Sequence, residues 1–487
     1  MIASTEDLTS SKHFQNHGQP PIDELESSQE IFFKNKCMLR SELSHDYAPP
    51  STETEKAICQ IWQNYFGIKE VGVQDDFFEL GGDSLKAHIV LNRMKKALNV
   101  TVSLADFFKQ SRVDQLAAHI DNLEHNQYNN IDMIAPASNY EVSHAQKRLW
   151  FLHELDQRIS AYNRTTALKF KGRLQISLLE KAFMTLINRY EVLRTTFIAI
   201  DGTPKQIIHP SIEFAILIED FSDKHNIDAV IQTSLEKEIS YAFDLAKLPL
   251  FRVKALKIAD MQFVCIFNVH HVLCDQWSMT ILFQELAALY NAYCQHQVPN
   301  LPSLRIQYKD YAVWHNNMIR TDSRTENPLQ SYWMSYLGGE LHRTSLPADY
   351  GRPSIKTYQG KTVTTQLGQA LTRRLYRIMK QEDVSLFVTL LTLINILFHR
   401  YSGEEDIIIG TTVSGRDHVD LENQLGFFVN TLPLRNQIHG AESFLQVLKK
   451  IKTQHYNHLT INNTPLIKSS RICLYPEIQV LIRFLIL

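Results

Sequence analysis

Two adjacent histidines followed four residues later by an aspartate, in Asn268-Val-His270-His271-Val-Leu-Cys274-Asp275, supply the side chains for proton transfer near neutral pH. Imidazole titrates at about 6.5, so one such ring can both take and give a proton. The run Met261-Gln-Phe-Val-Cys-Ile-Phe-Asn-Val269 that leads into the pair is apolar, with the pattern of a buried strand. Successive strand side chains point to opposite faces, so the two histidines cannot share one role. One faces packing while the other reaches a site, and Asp275 after the turn holds the local geometry. Cys274 reads as a small apolar filler rather than a nucleophile. A chain with 20 histidines can produce such a cluster by chance. The weight therefore falls on the elements around it.

The first of these lies upstream, in Asp76-Phe-Phe-Glu-Leu-Gly-Gly-Asp83-Ser84-Leu85-Lys86. A Gly81-Gly82 turn frees the backbone, Asp83 and Ser84 offer capping oxygens, and Leu85, Ile89, Met94 and Leu98 predict a helix after them. A helix from Glu53 to Phe66 precedes it, with Ile58, Ile61, Trp62, Tyr65 and Phe66 on one face and a stop at Gly67. A last helix carries Val113, Leu116, Ala117, Ile120 and Leu123. Four short helices with a serine at a helix start resemble the peptidyl carrier proteins of nonribosomal peptide synthetases. The resemblance implies a 4′-phosphopantetheine arm on Ser84, with Asp83 and Leu85 flanking it. Its phosphodiester would sit where free N–H groups and the helix dipole favour negative charge.

Downstream, Ser143-His-Ala-Gln-Lys-Arg-Leu-Trp-Phe-Leu152, Arg189-Tyr-Glu-Val-Leu-Arg-Thr-Thr-Phe197, the histidine segment, Tyr308-Lys-Asp-Tyr-Ala-Val-Trp314 and Leu425-Gly-Phe-Phe-Val-Asn-Thr-Leu-Pro-Leu-Arg435 resemble the ordered motifs of a condensation domain. That resemblance, over residues 50–460, implies two chloramphenicol-acetyltransferase-like α/β lobes facing a shared tunnel. The implied reaction is amide-bond formation between carrier-bound thioester substrates. His270, His271 and Asp275 would form the catalytic motif. His271 would accept the amine proton or orient the amine, His270 would support the strand, and Asp275 would act as scaffold. Arg416, in Ser414-Gly-Arg416, is the expected ion-pair partner of Asp275, and Asn430 either lines the tunnel or packs as a buried polar group. The opening motifs look most like the subtype that joins two L-residues.

Composition sets bounds on this reading. A length of 487 residues is too great for one compact core. Lys plus Arg (50) nearly balances Asp plus Glu (52), which gives no footprint for nucleic acid or an anionic membrane. Six cysteines form no CxxC pair and read as reduced thiols; with a polar N-terminus this points to the cytoplasm, and no metal site is expected. The apolar stretch 386–398, interrupted by Thr389, Thr392 and Asn395, falls short of the roughly 20 residues that span a bilayer and reads as a core helix feeding the strand at Asp406. Ser177-Leu-Leu-Glu180 reads as a capping box opening another helix.

The expected organisation is a multidomain chain. Residues 1–50 form a disordered linker with a remnant of an adenylation-domain tail at 38–43. Residues 51–124 form an all-α four-helix carrier, 125–139 a polar linker, and 140–487 a condensation domain truncated at its C-terminus. Three departures from the family bear on activity. Gln276 stands where the family has glycine, which narrows the tunnel. Residues 462–468 match only the proline and lysine of a late motif, and the apolar tail 475–487 matches nothing in the family. Partners implied are a phosphopantetheinyl transferase, an upstream adenylation enzyme and a downstream acceptor carrier. A carrier with an inert condensation region, a decayed fragment, and an acetyltransferase-like enzyme using soluble acyl donors stand as alternatives.

Overall fold

The computed structural model of the chain describes residues 46–82, 84–124, 130–321, 328–341, 346–351, 360, 363–382 and 384–460. The expectations for residues 1–45, Asp83, 462–468 and 475–487 concern positions outside the described residues.

The first domain is all-helical. Its helices are α1 (Glu53–Phe66), α2 (Ser84–Leu98), α3 (Leu104–Lys109) and α4 (Val113–Ile120). Thr52 and Glu55 form a capping box at the start of α1, and Gly67 closes it in the left-handed region. The apolar faces of the four helices bury Ile58, Trp62, Phe77, Met94, Phe107 and Leu116 together. Phe77 meets Trp62 and Phe107 edge-on at centroid distances of 5.4 and 4.9 Å. This aromatic cluster sets the loop before α2, because a Cβ on Gly82 would stand 2.3 Å from the Phe77 ring and 2.5 Å from its carbonyl oxygen. Only glycine lets the chain pass there and turn into the serine helix.

The remainder is mixed helix and strand in two lobes. The first lobe runs β1 (Tyr140–Glu141), α5 (His144–Leu155), β2 (Asn163–Lys171), α6 (Ile176–Arg189), β3 (Thr195–Ile200), β4 (Thr203–Ile208), β5 (Leu217–Asp220), α7 (Ile227–Ile239), β6 (Phe251–Ala259), β7 (Gln262–His270) and α8 (Gln276–Cys294). After α9 (Tyr308–Thr321) and α10 (Pro328–Tyr336), the second lobe has α11 (Gln369–Glu382), α12 (Leu386–Ser402), β8 (Asp406–Val413), β9 (Asn430–Gln437) and α13 (Phe444–Thr460). A sheet of order β2-β7-β6-β5 carries the histidine strand; β7 is antiparallel to both neighbours, while β5 runs parallel to β6. Strands β8 and β9 pair antiparallel over the second core of Val388, Ile407, Leu434 and Leu448.

The continuous apolar run of β7 has a direct cause in this layering. Cys265, Phe267 and Val269 pack into the main core with Phe183 of α6 and Leu282 and Leu289 of α8. Val264 and Ile266, on the other face, pack against Ile231 of α7. Both faces are covered, so the strand shows no polar alternation. Each such side chain contributes about 1.5–3 kcal/mol by burial. Its one interior polar residue, Asn268, is satisfied by the Glu238 carbonyl and the Thr165 hydroxyl.

One expectation is corrected and two are made more specific. Helix α6 begins at Ile176 after Gln175, so Ser177 lies inside it and forms no capping box. Glu180 instead accepts the Ile216 N–H at 2.9 Å, while the Tyr290 hydroxyl caps the Gln175 N–H at 3.0 Å. The linker is not free along its length, because Ile131 is fully buried in the main core and the Ile134 N–H donates to Asp310 at 2.9 Å. Helix α12 is the core helix expected there, with Val388 and Leu391 in the second core, and the same face turns its polar residues inward. Thr389, Thr392 and Asn395 are buried, and Leu386, Phe387, Leu390, Leu393 and Leu397 are exposed. The buried groups bond backbone carbonyls of their own helix, and Asn395 accepts from Asn436 of β9, so their burial costs little. Among the described residues no single helix is long and apolar enough to cross a membrane.

Candidate active site and carrier serine

Strand β7 ends at His270, and the chain turns through Val272–Cys274 into α8, which Asp275 caps. The two histidines thereby separate. His270 is buried in the core, its Nδ1 accepts the Val272 N–H at 3.1 Å, and its Nε2 must carry the proton. The ring lies edge-on to His153 and Phe243, and burial holds its pKa down at about 3. It is a neutral packing group at physiological pH.

His271 lies beyond the strand and is half-buried. Its N–H donates to the Tyr162 carbonyl at 2.8 Å. Its Nδ1 lies 2.6 Å from the Cys274 carbonyl oxygen, a contact that requires Nδ1 to carry the proton. Nε2 is left with its lone pair. The Phe427 ring lies alongside at 5.1 Å. Burial lowers the His271 pKa first, and the nearby Arg164 charge adds to that, while the Cys274 bond opposes it. The ring is therefore neutral at pH 7, with the Nε2 lone pair available. Cys274 is buried beside Met279, and burial pushes its thiol up, far from a reactive thiolate.

Asp275 is a structural hub. Its Oδ1 accepts from the Ser278 N–H and hydroxyl, each at 2.8 Å, and from Arg416 Nη2 at 3.1 Å; its Oδ2 accepts from the Phe428 N–H at 3.2 Å. The expected pair with Arg416 is present, with the two side chains only 1% and 2% exposed. Arg416 also donates to Ser278 Oγ and to the carbonyls of Leu421 and Gln424. Such a pair needs hydrogen bonds on both partners to offset desolvation; here both carboxylate oxygens and both Nη groups are engaged, while Arg416 Nε is buried without a partner among the described residues. Asn430 starts β9 opposite Val413, half-buried, with its side-chain oxygen on the Thr431 N–H.

The motifs separated in sequence meet here. Ser143 and Gln146 cap α5 reciprocally, and Gln146 Nε2 donates to the Val272 carbonyl at 3.3 Å. The Ser143 hydroxyl lies 2.8 Å from the Tyr308 hydroxyl, which donates to the Phe427 carbonyl at 2.6 Å. A Cβ on Gly426 would stand 1.9 Å from the Tyr308 ring, so glycine is required for this closure. Gln276 lies at the first position of α8 with an exposed side chain, whose amide oxygen accepts from Arg164 of β2. Gln276, expected to narrow a tunnel, is seen here as a tie between α8 and β2. Sequence reading missed Ser278 and Arg164. A serine three residues after a capping aspartate was a readable signal for the first, whereas nothing local marks Arg164.

In the carrier, Ser84 opens the 15-residue helix α2, which has no acidic residue in its first turn. Lys86 Nζ reaches back to the Gly81 carbonyl at 2.7 Å. A helix start with no acidic residue inside its first turn and a lysine close by fits a phosphodiester. Asp83 lies outside the described residues, as do the side chains of Ser84 and Leu85.

Comparison with known proteins agrees with this architecture. The condensation-domain family matches residues 137–468, and the phosphopantetheine-attachment-site family matches residues 56–120. Gramicidin S synthase 2 of Brevibacillus brevis is 35% identical over 406 residues, 83% of this chain and 9% of that protein. Surfactin synthase subunit 1 of Bacillus subtilis is 34% identical over 406 residues, 83% of this chain and 11% of that protein. The chain thus spans about a tenth of the length of these relatives. Among solved structures, the X-domain from teicoplanin biosynthesis superposes with a TM-score of 0.65 at 24% identity, covering 72% of this chain and 76% of that one. A four-domain nonribosomal peptide synthetase bound to AMP and glycine gives 0.62 at 23%, covering 70% and 26%. The chain therefore belongs to the condensation-domain family of nonribosomal peptide synthetases, with a phosphopantetheine carrier domain preceding the two-lobed condensation fold.

Proposed function

We propose that this chain holds an acyl group on its carrier through Ser84 and joins it to an incoming amine at His271. The observation that carries the reading is the His271 ring, pinned by Nδ1 on the Cys274 carbonyl at 2.6 Å with Nε2 free to accept a proton. When bound, 4′-phosphopantetheine supplies a thiol that holds the acyl substrate as a thioester. Attack by the amine forms the C–N bond and breaks the C–S bond. His271 Nε2 takes the proton that leaves nitrogen and returns it to the departing sulfur. Asp275 and Arg416 hold the turn that aims the ring and touch no reacting atom. The chain draws on a phosphopantetheinyl transferase for loading, and on an adenylation enzyme and an acceptor carrier for its substrates. The synthetase relatives support cytoplasmic residence. The boundaries that fit are a carrier over residues 51–124 and a condensation region from 140 onward.

Intact-protein mass after incubation with coenzyme A and a broad-specificity phosphopantetheinyl transferase tests the first half. One added phosphopantetheine on the wild type and none on Ser84→Ala is expected; modification of both refutes the assignment of Ser84. Amide formation by loaded wild type and loaded His271→Ala tests the second half, and equal product from both refutes the role of His271.

A further inference from the structure

The carrier and the histidine motif meet on opposite sides of one loop, residues 416–426. On the carrier side, Arg93 of α2 holds the Glu422 carboxylate with Nη2 at 2.8 Å and Nε at 3.2 Å. Next to it, Asn92 Nδ2 donates to the Arg416 carbonyl at 2.9 Å. Glu422 is 9% exposed, so its charge is largely desolvated, and Arg93 is its cationic partner, itself stacked over Tyr65 of α1. Helix α3 of the carrier also packs against α13 of the second lobe. On the other side, the Glu422 carbonyl accepts Trp277 Nε1 at 3.0 Å, and the Arg416 guanidinium binds Asp275 and Ser278. The Gly426 carbonyl accepts the Asp275 N–H at 3.1 Å and lies 2.8 Å from the Ser278 hydroxyl, whose one proton it shares with Asp275. Arg416 and Glu422 therefore each touch the carrier with one group and the start of α8 with another.

We propose that carrier docking and the ordering of the His271 turn are coupled through this loop, with Arg93, Asn92, Glu422 and Arg416 as positioning residues. The surface formed by Glu422 and the Arg416 carbonyl takes the helix that begins at Ser84. With α2 in place, the loop is held from outside and fixes Asp275, and through Asp275 the turn that aims His271. When α2 leaves, the Glu422 carboxylate loses its cation and the Arg416 carbonyl loses the Asn92 donor. The loop then relaxes, and the helix cap with it. By linkage, whatever orders the turn also strengthens docking. The geometry matches its use: the turn is firmest when the helix bearing the acyl group is seated.

The inference rests on the reading that the two domains act on one another. Its test uses the unmodified full chain, so neither loading nor product formation enters. Hydrogen exchange of residues 272–280 and the radius of gyration from X-ray scattering are measured for wild type, Arg93→Glu, Asn92→Ala and the charge swap Arg93→Glu with Glu422→Arg. Arg93→Glu is expected to increase the radius of gyration and to speed exchange of the turn by about 5- to 150-fold, the usual span of allosteric coupling. Asn92→Ala, which creates no new charge, moves both in the same direction to a smaller extent, and the swap restores both. Two results overturn the inference: an increased radius with unchanged exchange in the turn, or a wild type already as extended as Arg93→Glu.

Discussion

Replacing Arg416 with methionine keeps most of the side-chain length and removes the guanidinium from the most interconnected point of the site. The lost bonds are those to Asp275 Oδ1, Ser278 Oγ and the carbonyls of Leu421 and Gln424. Asp275 keeps three donors, the Ser278 N–H, the Ser278 hydroxyl and the Phe428 N–H, but its charge stays buried without a cation. Breaking one side of a buried pair costs about 3–5 kcal/mol, because the remaining ion cannot recover its hydration. At about 1–3 kcal/mol per molar urea, the unfolding midpoint of the condensation region falls by about 1 M or more. Urea titration followed by tryptophan emission reads this directly, since the Trp277 ring lies 5.6 Å from the Arg416 guanidinium. The double variant Arg416→Met with Asp275→Asn removes both charges and loses less than the sum of the single losses. A loss under about 1 kcal/mol for Arg416→Met, typical of an exposed pair, would refute the assignment of this contact as a buried strut.

Other outcomes follow from the same geometry. His271→Gln retains shape but loses the basic nitrogen, so amide formation falls by about 10²–10⁴-fold in single-turnover assays, with loading at Ser84 unaffected. Gln276→Gly frees Arg164 from its tie to α8 and raises the amide-forming rate; no change or a fall in single-turnover rate counts against the tie as an obstruction. Acid destabilises the fold through His270. Its folded pKa of about 3 lies below the unfolded value near 6.5, so its contribution is complete above about pH 6.5 and is lost as pH falls toward 3. Between pH 8 and pH 5 that is about 2 kcal/mol from this group, measured by urea titrations at each pH, and a neutral residue at 270 flattens the slope. Gly82→Ala forces a Cβ into the Phe77 ring and carbonyl, destabilising the carrier by about 1–3 kcal/mol and slowing phosphopantetheine transfer as read by intact mass.

Local chemistry made much of this protein readable from its sequence. Helix α1 carries its own start and stop in Thr52, Glu55 and Gly67, and a periodic face that fits the carrier core. The apolar run before His270 read as a buried strand, and strand geometry already separated the roles of the two histidines. Asp275 and Arg416 were legible as a pair through the family resemblance, and they meet. The failures share one cause. Ser177-Leu-Leu-Glu180 has the letters of a capping box, yet Glu180 serves the distant Ile216 N–H and the helix starts earlier. In α12 Val388 and Leu391 enter the core as expected, but the same buried face also carries Thr and Asn side chains that return to the helix backbone. The tie from Arg164 to Gln276, the Ser278 hydroxyl between Asp275 and Gly426, and the clasp of Arg93 on Glu422 join residues up to 329 positions apart. The sequence by itself determined which elements form and which side chains are equipped for chemistry, because periodicity, caps and turns act over a few neighbouring residues. Only the tertiary structure decided which nitrogen of His271 is free and which charges are desolvated together, because those depend on where the backbone brings distant carbonyls and carboxylates.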